Sequence, residues 1–152
     1  MNDPLQPHSH EPNPEPPNLN PAFRLSVPGG QEWLLTAAAL ATLPQTAVDG
    51  CYIVSTGHGT SGPFTFSGVT LGDLIAQYYS GAWEEAGIVS ADGFGNRVYA
   101  NEIEGTQRPI LFATHIDGRP LTREEGLVRL IVPSEVDDAL RQVKWIERVA
   151  VG

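Results

Sequence analysis

From residue 22 onward, apolar and polar residues follow the spacing of short strands. Phe23, Leu25 and Val27 alternate with polar residues, and after a glycine turn the run 33–35 completes a predicted β-hairpin. The nearly continuous apolar run 48–56 is typical of a strand buried on both faces. The same reasoning predicts further strands at Phe64 and Phe66, 88–90, 97–99, 109–116, 127–132 and 143–151, with a turn at Asp117 and Gly118.

Helical spacing is confined to short runs. Thr36 and Thr70 precede the runs 37–41 and 71–79, and each threonine can cap a helix. Ser134 can cap a third helix, predicted over 135–141. Many short strands with three short helices predict an α+β fold that is mainly β.

The chain divides into a tail and one domain. Residues 1–21 contain seven of the 13 prolines, three acidic residues and no lysine or arginine. Such a segment cannot bury enough apolar surface to offset its ordering entropy, so we expect a disordered proline-rich tail. Residues 22–152 are expected to form a single domain, in keeping with a total length of 152 residues.

Charge and composition exclude several classes of protein. The formal net charge is −9, which argues against nucleic-acid binding and against docking on anionic lipid. The single cysteine excludes a disulfide framework and any multi-cysteine metal site. The sequence contains no apolar run long enough to span a membrane and no secretory signal, so a cytoplasmic location is expected.

Cys51 is the first residue with candidate chemistry, and it has two interpretations. A lone cysteine in an apolar strand is often a small core residue. Alternatively it is a thiolate metal ligand or nucleophile, which needs positive surroundings or a metal. Local sequence supplies no cation, since neither lysine nor arginine occurs between Arg24 and Arg97.

The run 56–63 is rich in glycine and hydroxyl residues and is predicted to be a loop. Its backbone N–H groups can approach an anion, and His58 can contact an oxyanion or a metal. The alternative is a plain connection between two strands.

Basic residues gather in the C-terminal part, where Lys144 is the only lysine of the chain. Arg129 lies inside an apolar strand, so its charge must point outward or be paired. Anion binding and a salt bridge both remain open for it. Among the acidic residues no pair for acid–base catalysis can be singled out, and Asp92 before Gly93 is typical of a turn.

Six further stretches resemble, in their order along the chain and together with Cys51, the molybdopterin-binding domain of the sulfite oxidase family. That family includes the catalytic subunit of a methionine sulfoxide reductase. The resemblance covers about residues 33–151. The matching stretches are 40–45 (L-x-x-L-P), 66–75 (W-x-G-V-x-L-x-D-L-L, with phenylalanine for tryptophan), 90–94 (S-x-D-G-Y), 116–121 (M-N-G-E-P-L), 126–133 (G-x-P-x-R-L-x-V-P) and 142–146 (x-x-K-W-I).

This resemblance implies a fold and a set of roles. Cys51 takes the position of the thiolate that ligates molybdenum, and Arg129 and Lys144 take positions that hold the pterin cofactor. Asp92 is placed at a turn facing the cofactor. His58, which matches no family position, is our candidate for contacting an oxo group or substrate. One departure is Glu125, which stands where the family pattern has histidine.

Two functions follow from these observations. In the first, the chain is a molybdenum-cofactor-dependent oxidoreductase domain that transfers an oxygen atom to or from a small substrate and exchanges electrons with a redox partner protein. In the second, it is a degenerate family member that binds a ligand or a partner, and Cys51 is a core residue. An open cleft beside Cys51 favours the first.

Overall fold

The computed structural model describes residues 22–55, 59–105, 109–122, 125–133 and 142–152 of the chain. Short strands dominate these residues. In chain order the elements are β1 (Phe23–Ser26), β2 (Glu32–Leu35), α1 (Ala37–Ala41), β3 (Thr46–Ser55), β4 (Gly59–Thr70), α2 (Leu71–Tyr78), β5 (Glu85–Ser90), β6 (Gly95–Tyr99), α3 (Ala100–Gly105), β7 (Leu111–Ile116), β8 (Arg119–Pro120), β9 (Arg129–Ile131) and β10 (Ile146–Val151). The predicted α+β, mainly β fold is confirmed.

Two sheets organise the strands. The first has the order β2-β1-β10-β5-β6, in which β1 and β10 run parallel and the other neighbours run antiparallel. The second has the order β3-β4-β7-β8, and β9 pairs with β7. In the described part of the chain no helix is long and apolar enough to cross a membrane.

Apolar side chains gather in two clusters, and β7 contributes to both. Phe112 belongs to the larger cluster, whereas Leu111 and Ala113 belong to the smaller one. This division follows from the strand itself, because successive side chains point to opposite faces of a sheet. The second sheet therefore has one face toward each cluster.

The alternation along β9 decides where its arginine lies. Leu130 belongs to the larger cluster and Ile131 to the smaller one. Arg129 is two residues from Ile131, so its side chain starts on the face that carries the smaller cluster. Cys51 belongs to that same cluster. The sheet thus directs an arginine and a cysteine, 78 residues apart by subtraction of their numbers, to one face.

The strand predicted at 48–56 is present as β3, but its predicted burial on both faces is wrong. β3 is an edge strand that pairs with β4 alone. Val48 and Cys51 are buried, while Ala47, Asp49 and Gly50 are exposed. An edge strand with one covered face needs apolar side chains on that face only. The apolar run in the sequence therefore led to an overestimate of how much of β3 is buried.

The predicted loop at 56–63 is also wrong over much of its length. Gly59 to Pro63 belongs to β4, which continues to Thr70 and pairs with β3 from Gly59 onward. Residues 56–58, and with them His58, lie outside the described residues. Backbone pairing with the neighbouring strand outweighs the low strand propensity of the glycines.

The helix predictions are confirmed where the structure describes them. Thr36 accepts a hydrogen bond from the Ala39 N–H, and Thr70 accepts one from the Asp73 N–H, so both caps hold. The helix α3 was not predicted, since its sequence has a single large apolar residue, Ile103. The predicted helix 135–141 lies outside the described residues.

Candidate functional site

Cys51 lies where β3 changes register against β4. The preceding Gly50 has φ +67°, a conformation that glycine adopts without strain. The Cys51 side chain is 4% exposed, and its Sγ lies 3.6 Å from the Val48 carbonyl oxygen and 3.8 Å from that of Asp49. Cys51 also lines a small recess together with Gly50, Tyr52, Ile131, Val132, Pro133 and Gln142.

These surroundings match parts of both interpretations of Cys51. Its contacts with the apolar cluster are those of a core residue, whereas its place in the recess gives the thiol an approach from one side. Both carbonyl oxygens lie at distances at which each can accept a hydrogen bond from the thiol. A thiolate at Cys51 needs a positive ligand, such as a metal ion.

Arg129 is buried and is not part of an ion pair within the described ranges. Its side chain is 6% exposed. Nε donates to the Gln142 Oε1 at 2.9 Å, and Nη1 donates to the Glu125 carbonyl oxygen at 3.2 Å. Burial lowers the pKa of Arg129 to about 10, and the Glu125 charge opposes that shift in part. The side chain thus neither points outward nor has a carboxylate partner there.

Gln142 connects Arg129 to the strand that carries Cys51. Its Nε2 donates to the Tyr52 carbonyl oxygen at 2.7 Å while its Oε1 accepts from Arg129. Sequence reasoning missed this residue. No sequence pattern could have found it, because its two partners lie 13 and 90 residues away.

Lys144 lies within electrostatic range of both Arg129 and Asp92. Burial lowers the pKa of Lys144, the Arg129 charge lowers it further, and the Asp92 charge raises it. The Lys144 Nζ lies 4.4 Å from the centre of the Trp145 ring, a cation–π contact. Two predicted residues, Arg129 and Asp92, therefore each lie within electrostatic range of a third, Lys144.

Backbone hydrogen bonds hold these segments together. The Gly126 carbonyl oxygen accepts from the Val128 N–H at 2.7 Å and from the Trp145 N–H at 3.1 Å. The Trp145 carbonyl oxygen in turn accepts from the Ala91 N–H at 2.8 Å. Leu127 and Trp145 have φ of +65° and +51°, a region that non-glycine residues adopt at a cost. Local strain is thus concentrated beside Arg129 and Lys144.

Asp92 also forms the turn that its sequence predicts. Its Oδ1 accepts from the Phe94 N–H at 3.1 Å, and its own N–H donates to the Ser90 Oγ at 3.2 Å. The turn joins β5 to β6 and places Asp92 beside Ala91, whose N–H bonds to Trp145.

Glu125, the departure from the family pattern, has its carboxylate paired with Arg119. The two hydrogen bonds from Arg119 and two with Thr122 lower the pKa of Glu125 to about 2, against the opposing effect of its burial. The negative charge of Glu125 is therefore paired with Arg119. Arg129 contacts the carbonyl oxygen of Glu125 instead of its carboxylate.

The metal assignment depends on Cys51. Over the described ranges, no group of three or more histidine, cysteine or acidic residues could hold a metal ion. A metal at Cys51 must then bring most of its ligands with it. The predicted contact residue His58 lies outside the described residues and stays a prediction.

Comparison with known proteins yields a family and a fold. The family model described as "Oxidoreductase molybdopterin binding domain" matches residues 13–152. The crystal structure of the sulfane dehydrogenase SoxCD from Paracoccus pantotrophus is similar in fold, with a TM-score of 0.68 and 20% sequence identity. The match covers 86% of this chain and 37% of that one, so this chain spans well under half the length of that protein. Among curated proteins none matches significantly.

Proposed function

This chain belongs to the oxidoreductase molybdopterin-binding domain family, and we propose that it binds a molybdenum–molybdopterin cofactor between Cys51, Arg129 and Lys144. In this proposal Cys51 is the thiolate ligand of the metal, Arg129 and Lys144 hold the phosphate and pterin, and Asp92 faces the cofactor. The proposed reaction is oxygen-atom transfer to or from a small substrate, with electrons exchanged with a redox partner protein.

The observation that carries this proposal is the buried charge of Arg129. A guanidinium removed from water without a carboxylate partner costs free energy. A bound phosphate group would offset that cost, because a guanidinium donates two parallel hydrogen bonds to phosphate oxygens. Lys144 adds a second, half-buried cation beside it. A phosphate-bearing ligand fits these two residues better than a neutral one does.

The donor set also fits the metal. Cys51 offers one sulfur at the wall of a recess, and a bound metal ion would hold that sulfur as a thiolate. When bound, the cofactor supplies the two-electron chemistry of oxygen-atom transfer. The chain supplies the ligand, the positive charges and the walls that orient a substrate. His58 as a substrate contact and a cytoplasmic location remain predictions.

The test is the metal content of the full chain produced in a host that makes the cofactor. We expect about one molybdenum per chain, and X-ray absorption should detect one more sulfur ligand than the cofactor itself provides. Cys51→Ser should lose that sulfur signal while circular dichroism stays unchanged. The control Gln77→Leu alters an exposed residue of α2 and should keep both the sulfur signal and the circular dichroism spectrum.

Two outcomes would contradict the proposal. Wild-type protein without molybdenum, purified from a host that loads another enzyme with the cofactor, would contradict cofactor binding. It would favour the second function, a degenerate family member that binds a ligand or a partner. An unchanged sulfur signal in Cys51→Ser would remove Cys51 as the ligand while leaving cofactor binding intact.

A further inference from the structure

Gln142 forms hydrogen bonds to two parts of the site at once. Its Oε1 accepts from the Arg129 Nε at 2.9 Å, and its Nε2 donates to the Tyr52 carbonyl oxygen at 2.7 Å. Both bonds are partly buried, and Tyr52 follows Cys51 directly in β3. The side chain of Gln142 therefore spans the distance between the strand of the arginine and the strand of the cysteine.

An uncharged amide suits this place better than other side chains. The position needs an acceptor for Arg129 and a donor for Tyr52, and a glutamine amide provides one of each. A glutamate could accept from Arg129 but could not donate, and an aliphatic residue could do neither. The amide also leaves the positive charge of Arg129 available, whereas a carboxylate would neutralise it.

The bond to Gln142 limits how the guanidinium can turn. The group is planar, and two of its three nitrogens, Nε and Nη1, already donate to Gln142 and to the Glu125 carbonyl oxygen. Two fixed nitrogens determine the plane and hence the direction of the third. Through Tyr52, that direction is set relative to the Cys51 strand.

We propose that Gln142 is the positioning residue of this site: it orients the Arg129 guanidinium relative to Cys51, so that a phosphate group held by Arg129 lies at a set place relative to Cys51. This inference rests on the proposed role of Arg129 in binding an anion. Gln142 itself lines the recess beside Cys51.

The experiment uses the full ligand-free chain with ¹⁵N-labelled arginine. Two NMR readouts are taken: the chemical shift and hydrogen exchange of the Arg129 Nε–H, and its response to added inorganic phosphate. The variants are Gln142→Leu, which removes both bonds, and Gln142→Glu, which keeps the acceptor and adds a charge. The control Gln45→Leu also removes amide-to-carbonyl hydrogen bonds, those to Leu40 and Leu43, but at another place in the fold.

We expect Gln142→Leu to shift the Arg129 Nε–H signal, speed its exchange and weaken phosphate binding by about fivefold or more. Gln142→Glu should keep the Nε–H protected and still lose phosphate binding, because its carboxylate would neutralise Arg129. Gln142→Leu adds no charge, so weaker phosphate binding by a folded Gln142→Leu with a wild-type melting temperature is the result that a purely structural role would not produce. Gln45→Leu should leave both readouts at their wild-type values.

Other outcomes overturn one proposal or the other. An unchanged Arg129 signal in folded Gln142→Leu refutes the positioning role, and so does wild-type phosphate affinity in that variant. Wild-type phosphate affinity in Gln142→Glu would show that the anion does not bind beside Arg129. If Gln142→Leu does not fold, Gln142→Met, which lacks the same two hydrogen bonds and is close to glutamine in volume, replaces it in both readouts. If the wild-type chain gives no phosphate response, anion binding by Arg129 fails, while the Nε–H signal in Gln142→Leu still tells whether Gln142 holds the guanidinium.

Discussion

Arg119 and Glu125 form a two-point ion pair, with Nη1 2.7 Å from Oε1 and Nη2 2.8 Å from Oε2. The Thr122 N–H also donates to the Glu125 Oε1 at 2.9 Å, and the Glu125 N–H donates to the Thr122 Oγ1 at 3.2 Å. These bonds join Thr122 to Glu125, and the Glu125 carbonyl oxygen accepts from Arg129. The ion pair therefore holds the residue whose backbone carbonyl oxygen contacts the buried Arg129.

Glu125→Gln should destabilise the protein in a pH-dependent manner. The folded-state pKa of Glu125 lies at about 2, below its ordinary 4.5, because Arg119 stabilises the carboxylate. The stabilisation is present above 4.5 and is lost as the pH falls toward about 2. We expect the variant to melt a few degrees below wild type near neutral pH, with the gap closing in acid. Thermal melts across that range measure it.

The control for this prediction is Glu147→Gln, an exposed carboxylate of β10. Its substitution should leave the melting temperature almost unchanged at every pH. A gap between Glu125→Gln and wild type that stays constant down to the acid limit would refute the assigned pKa of Glu125.

Arg129→Met should separate stability from binding. Methionine removes a desolvated charge but leaves the Gln142 Oε1 and the Glu125 carbonyl oxygen without their donor. These effects oppose each other, so we expect a free energy of unfolding within about 1 kcal/mol of wild type. Phosphate binding should be lost. Urea denaturation and phosphate titration of the ligand-free chain measure the two quantities.

The surface substitution Arg24→Met is the matched control, since Arg24 lies on β1 and pairs with Glu32. It should keep wild-type phosphate binding. A loss of several kcal/mol in Arg129→Met would instead mean that Arg129 is primarily a structural residue.

Gly126→Ala should disturb Lys144 as well as the backbone. Gly126 has φ +112°, and an added Cβ would lie 2.8 Å from the Lys144 Cβ and 3.1 Å from its Cα. Gly93 has a similar φ of +93° with open space around it. Gly93→Ala should cost about 1–2 kcal/mol through backbone strain, and Gly126→Ala about 1 kcal/mol more. Urea denaturation gives both values.

Fluorescence adds a second readout, because Lys144 lies over the Trp145 ring. Gly126→Ala should change the tryptophan emission of the folded protein, and Gly93→Ala should not. Equal losses of stability and equal spectra in the two variants would show that Gly126 does not position Lys144.

Gly68 and Gly72 should respond in opposite ways to alanine. A Cβ on Gly68 would collide with the Phe112 carbonyl oxygen of the neighbouring strand, so Gly68→Ala should cost more than about 2 kcal/mol. Gly72 is in α2, and a Cβ there would meet the Ile103 Cγ2 at 3.6 Å, an ordinary contact. Gly72→Ala should stabilise the protein by up to about 1 kcal/mol. Thermal melts of both variants test the close contact between β4 and β7.

Sequence reasoning succeeded where neighbouring residues determine the structure. The caps at Thr36 and Thr70 and the turn at Asp117 and Gly118 are all formed by hydrogen bonds or backbone angles within a few residues. It failed for the start of β4, where Gly59 to Pro63 forms a strand against β3. Strand pairing depends on a partner, and glycine composition does not reveal that partner.

The candidate site divides in the same way. Cys51 and Arg129 were singled out by their places in apolar strands, and the resemblance supplied cofactor roles for Cys51, Arg129, Lys144 and Asp92. Gln142 was not, because its role exists only once residues 13 and 90 positions away meet around it.

The sequence by itself therefore determined most of the strands, the two helices capped by Thr36 and Thr70 and the residues with candidate chemistry, since these depend on periodicity and on side-chain type. The tertiary structure alone decided that Arg129 is buried away from any described carboxylate, that Glu125 is neutralised by Arg119 and that Gln142 joins the two strands. Burial and hydrogen-bond partners are set by which segments the sheets bring together, and these contacts join residues far apart in the chain.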